Sequence, residues 1–148
     1  MVSFGLFILR LVVGSIFAVH GYPKLFGGKG RSIHPTAQKV LGAGFVQSME
    51  QGGPENFSKM LESVEVPSPK SVATFVGWVE FLGGILLALG LLTRLAAALL
   101  AGDMVVAIQK VHARKGLVGQ GGAEFALSML ASTLALFIAG PGKISVDG

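Results

Sequence analysis

The chain has 148 residues, 51% hydrophobic and only 14% charged, with 22 glycines and a mean hydropathy of +0.68, whereas a water-soluble domain carries charge on about a quarter of its residues. Its net charge of +4 does not mark a nucleic-acid partner, because the Lys and Arg flank apolar runs and form no aromatic-interleaved patch; loop charge that orients a membrane protein accounts for it. The absence of cysteine excludes disulfides, iron–sulfur clusters, thiolate zinc sites and dithiol redox chemistry within the chain.

The first apolar stretch, FGLFILRLVVGSIFAVHGYPKLFG, predicts a span over about residues 4–22, closed by Pro23 and the glycines that follow. About 20 helical residues rise roughly 30 Å, the thickness of the hydrocarbon core. MVSFGLF lacks Lys and Arg and Arg10 interrupts the apolar run, which argues against a cleaved signal peptide. A long connection, residues 23–70, follows. Within it PTAQKVLGAGFVQSMEQ sets Ala37, Val40, Leu41, Gly44, Phe45 and Met49 at helical spacing, and PENFSKMLESV does the same with Phe57, Met60, Leu61 and Val64. Both predict short amphipathic helices at the membrane interface or over the bundle, with a partner-binding surface as the alternative.

The second span covers about residues 72–92 and the third about 95–112, with Thr93 and Arg94 as the break between them, so the two form a tight antiparallel hairpin. The polar ARKGLVGQGG leads into a fourth span over about 123–140. The expectation is a single all-α membrane domain, an up-down four-helix bundle. Lys24, Lys29, Arg31, Lys39, Lys59 and Lys70 lie in the first connection and Lys110, Arg114 and Lys115 beside the third, against Arg94 and Lys143 on the other side. Both termini are therefore expected outside the cytoplasm.

Charged side chains inside spans persist only where the protein meets them. Span order puts Arg10, Glu80 and Asp103 in one layer about the membrane middle, and His20, Lys24, Lys110, His112 and Glu124 in a second layer near the long connection. Arg10, Gly14, Phe17 and Gly21 share one helical stripe and Gly77, Glu80 and Gly84 another, so charged faces coincide with the small-residue faces that let helices approach in lipid. Asp103, Ala107, Lys110 and Arg114 form a third stripe. Arg10 is expected to pair with Glu80, Asp103 or both, either as an architectural ion pair or as a binding or proton-handling site. His20 and His112 are also considered as axial haem ligands, against plain interfacial hydrogen bonding. Glu124 after two glycines is placed to cap a helix. No phosphate loop, metal-ligand spacing or nucleophile elbow is present.

HGYPKLFG at 20–27, VEFLGGILLALGLLTRLAA at 79–97, GGAEFALSML at 121–130 and GPGKISVDG at 140–148, in this order, resemble the DoxX family of small four-helix membrane proteins. The resemblance implies a multi-pass protein of a prokaryotic cytoplasmic membrane. Some members or relatives are described as subunits of thiosulfate:quinone oxidoreductase, others as membrane anchors in complexes of thiol and oxidative-stress defence. Its recurrent polar positions fall on Arg10, His20, Lys24, Glu80, Arg94, His112 and Glu124, while residues 29–58 depart from the pattern as an insertion. The function expected is an accessory or quinone-proximal subunit of a membrane redox complex, with lipid and other subunits as partners and quinone as the ligand. The alternative is a stand-alone scaffold or small transporter whose buried layer is structural or handles protons.

Overall fold

The structure, a computed structural model, describes residues 1–148 and contains seven α-helices and no strand. They are α1 (Val2–Phe26), α2 (Pro35–Leu41), α3 (Ala43–Gln51), α4 (Pro54–Ser63), α5 (Pro69–Leu89), α6 (Thr93–Ala107) and α7 (Glu124–Ala139). α6 continues through a π-helical turn, Ile108–His112, and a 3-10 turn, Ala113–Lys115. Three helices are long and apolar enough to cross a membrane: Val2–Phe26, Pro69–Leu89 and Thr93–Lys115. The fourth predicted span is shorter than the sequence pattern suggested. α7 has 16 residues, a rise of about 24 Å against the roughly 30 Å of a hydrocarbon core.

The core lies where α1, α5, α6 and α7 meet, around Phe17, Leu87, Leu100, Met129 and Leu136. Apolar side chains on the outside, among them Ile8, Leu11, Phe75, Leu82, Leu99 and Phe137, are exposed. A surface this apolar suits lipid and not water. The chain is a membrane protein, and lipid is what it touches.

The α1–α5 contact is the most extensive in the molecule, and glycine makes it. An ideal Cβ on Gly14 would stand 2.5 Å from the Gly84 carbonyl oxygen, and one on Gly21 would stand 2.5 Å from the Phe81 nitrogen. No side chain fits at either crossing, so the two backbones touch. The Arg10, Gly14, Phe17, Gly21 stripe and the Gly77, Glu80, Gly84 stripe are both buried in this seam.

Two local features differ from the sequence expectation. The helix expected over 35–51 is broken at Gly42, whose φ of +87° is open to glycine at little cost, giving α2 and α3. Of its apolar stripe, Phe45 and Met49 are buried and Val40 is exposed. The turn between α3 and α4 is pinned to the end of α1, because Gly53 N–H donates to the Pro23 carbonyl and Gly28 N–H to that of Met49. That anchor lays α4 over the α1–α5 seam, where Leu61 packs with Val66 and Ala73.

Candidate functional site

Lys24, on the last turn of α1, sends its ammonium to Glu80 in the middle of α5. Its Nζ is 2.6 Å from both carboxylate oxygens and 4.9 Å from the centroid of the Phe57 ring of α4. The seam fixes this partnership: Gly21 crosses α5 at Glu80 and Phe81, and Gly77 meets Leu25, so Lys24 is within reach of Glu80. A buried carboxylate needs a paired and hydrogen-bonded cation to persist in an apolar interior, and Lys24 supplies both.

The same register separates Arg10 from Glu80, and the expected Arg10 pairing with Glu80 or Asp103 does not form. Arg10 lies level with the end of α5, about 12 Å further along that helix at roughly 1.5 Å per residue. Fully buried, it donates from Nε to the Pro141 carbonyl at 2.9 Å and from Nη1 to those of Ala88 and Leu87 at 3.2 and 3.4 Å, while Nη2 reaches Ile144. Carbonyls in the last turn of a helix lack intrahelical partners and carry the negative end of its dipole. A helix end and the 140–148 segment therefore neutralise Arg10, with no carboxylate touching it.

That segment is held at a second point. The Asp147 carboxylate accepts the backbone N–H groups of Leu92 and Thr93 at 3.1 and 3.0 Å, capping α6 from across the molecule. The N–H bond from Thr93 is the main reason that this carboxyl sits below the usual range; the second N–H and the Arg10 charge act in the same direction.

Asp103 of α6 is a neighbour of Glu80. Its Oδ2 is buried without a hydrogen-bond partner. Lys24 thus faces two carboxyl groups, with both oxygens of one occupied and an oxygen of the other free. Two cavities meet here. One, of about 180 Å³, is lined by His20, Lys24, Glu80 and His112 with Phe17 and Phe125. The other, about 230 Å³, shares Lys24, Glu80 and His112, adds Asp103 and Lys110, and is roofed by Phe57 and Met60 of α4. A third, of about 250 Å³, leads from Lys24 and His20 toward the polar Ser48, Gln51 and Asn56.

His112 belongs to the π-helical turn, a distortion that in helices often marks functional sites. Its Nδ1 lies 2.8 Å from the Gly121 carbonyl oxygen, which only accepts, so Nδ1 carries a hydrogen and a neutral ring keeps Nε2 as an acceptor. His20 packs its ring on Phe125 at 5.6 Å. The two histidines line one cavity of about 180 Å³, and the Nδ1 of His112 is already engaged by the Gly121 carbonyl.

Of the residues singled out from sequence, the structure brings together Lys24, Glu80, Asp103, His20, His112 and Lys110. It leaves Arg10 at the opposite end and Glu124 outside the cavities. Glu124 does not cap α7: the N-cap position is Ala123, and Glu124 sits in the first turn, where its charge suits the helix dipole. Phe57 and Met60, which close the site, read from sequence as an ordinary amphipathic stripe. The glycine positions carried the only signal that α4 would reach Lys24, through the end of α1.

An all-helical membrane protein with three helices of spanning length and a charged cluster buried beside a glycine seam is the class that fold and site define. Residues 5–113 match the DoxX family, and the chain belongs to it. It is 33% identical to the uncharacterized membrane protein Rv3486 of Mycobacterium tuberculosis, over 94% of this chain and 77% of that relative. No solved structure matches the chain.

Proposed function

We propose that the Lys24–Glu80 cluster binds the polar head of an apolar, membrane-soluble molecule of the quinone class, and that the protein is a quinone-proximal accessory subunit of a membrane redox complex. The observation that carries this reading is the convergence of Lys24, Glu80, Asp103 and His112 on two adjoining, partly open and mainly apolar cavities. A few convergent polar groups in an apolar cleft are what a quinone head requires. Electrons are carried by a cofactor of a partner subunit, and this chain supplies binding, orientation and polar contacts. In this reading α7, packed antiparallel to α6 with Arg94 near Ile138, is a fourth crossing that thins the bilayer locally. The bundle is then an up-down, multi-pass domain of a prokaryotic cell membrane, with the lysine-rich first connection cytoplasmic and both termini outside.

The test is purification from native membrane in mild detergent, followed by mass spectrometry of co-purifying proteins and extracted quinone, for the natural chain and for Glu80→Gln. Recovery of quinone and a cofactor-bearing oxidoreductase in fixed ratio, with quinone lost in Glu80→Gln, is the expected result. Recovery of the chain alone and free of quinone overturns the reading and leaves a stand-alone scaffold or transporter.

A further inference from the structure

We infer that the groove between α5 and α6 is the lateral access from the bilayer to this cavity, and that Asp103 is the side chain that meets the arriving head group. The inference rests on the proposed quinone-class ligand. The groove, of about 390 Å³, is the largest of the surface clefts described and is walled by Phe75 and Val79 of α5 and Leu99 and Gly102 of α6. Phe75, Leu99 and Val106 are exposed on the lipid-facing side, so the mouth opens where an isoprenoid tail resides.

The floor gives the groove its direction. Val72, Val76, Asp103 and Val106 line both this groove and the cavity that holds Lys24 and Glu80. A partition of three valines and one aspartate is all that separates lipid from the buried cluster. The valine side chains leave no polar group stranded when a ligand displaces them, and Asp103, beside Glu80, presents a buried Oδ2 without a hydrogen-bond partner. An orphaned buried oxygen costs free energy until a partner arrives. As a carboxylic acid it donates to a quinone carbonyl, and as a carboxylate it accepts from a quinol hydroxyl. Both redox forms of the ligand are therefore met by one group.

A second groove, between α1 and the α2–α3 pair, is wholly apolar, lined by Ala18, Tyr22, Phe45 and Phe81 among others. It lacks a polar end and holds hydrocarbon without selecting a head group. Charges facing Asp103 and Glu80 come from Lys24 and His20 on α1 and from Lys110 and His112 beyond α6; the α5–α6 groove itself brings none besides Asp103.

The experiment uses the full chain in lipid nanodiscs with decylubiquinone carrying a photoreactive azide on its tail, and peptide mass spectrometry to map the label. The expected result is saturable labelling of α5 and α6 around Phe75 and Leu99, competed by unlabelled decylubiquinone. Gly102→Leu should reduce it about tenfold. A Cβ at Gly102 meets nothing within 4 Å, so a side chain there starts from open space on the groove wall. Ala98→Phe, also in the groove, gives the same readout should Gly102→Leu fail to fold. Saturable labelling on Tyr22 and Phe45, or labelling that both filling variants leave intact, overturns the lateral route while the quinone reading stands. No saturable labelling anywhere overturns both.

Discussion

Lys24 Nζ stands 2.6 Å from each oxygen of Glu80, and the side chains are 28% and 4% exposed. The carboxylate is the committed partner, since it has no water to fall back on. Lys24→Met strands it, and breaking a pair of this kind costs about 3–5 kcal/mol. Lys24→Met/Glu80→Leu removes both charges and should recover most of that loss. Thermal unfolding in detergent checks this, and a double variant no more stable than Lys24→Met would show that the pair is not the source of the loss. Ligand retention should be absent in both.

Arg10 predicts the opposite pattern. Its partners are carbonyls of α5 and of the 140–148 segment, and hydrogen bonds to a charged group contribute about 1.5–3 kcal/mol each when lost. Arg10→Ala should lower stability by about 3 kcal/mol or more and speed amide exchange over Val146 and Asp147, whose N–H groups bond Leu89 and Gly90. Arg10→Lys should recover only part, because an ammonium cannot reproduce the planar fork. A bound ligand at Glu80 should be unaffected, and its loss would tie the two ends of the molecule together.

The seam glycines differ in what they tolerate. Gly14→Ala places a methyl 2.5 Å from the Gly84 carbonyl oxygen, and overpacking of this kind costs about 1–3 kcal/mol. Gly102→Ala meets nothing within 4 Å and should be neutral or slightly stabilising in its helix. Melting temperatures of the two variants measured side by side check the contrast.

Asp147 sets an acid limit on the docking of the 140–148 segment. Its carboxyl is held below the ordinary value by the N–H groups of Thr93 and Leu92. A depressed folded value means that the stabilisation is complete above the ordinary carboxylate pKa, roughly 3.9, and fades as pH falls through the folded value. The protection factor of the Thr93 amide, which removes the intrinsic slowing of exchange in acid, should therefore be high near neutrality and fall in acid. Asp147→Asn should show low protection at both, and an unchanged profile in that variant would remove the cap from the account.

The spanning character of α1, α5 and α6 was legible in the sequence, because a bilayer demands a long apolar run and the chain provides three. So were the buried stripes: glycine beside charge on one helical face marks the only surface where backbones can meet and polar groups can leave lipid. Gly42 could have announced the break between α2 and α3, but a glycine within an apolar periodicity does not by itself state its φ.

Partnership was decided only by the tertiary structure. Sequence order placed Arg10, Glu80 and Asp103 at similar depth by assuming that each span is centred in the bilayer. The crossings of Gly14 on Gly84 and Gly21 on Glu80 fixed another register, which joined Glu80 to Lys24 and left Arg10 to a helix end. A shift of this size is invisible to hydropathy, which varies slowly along a span. A salt bridge is decided within an ångström, and that precision comes from which two glycines touch.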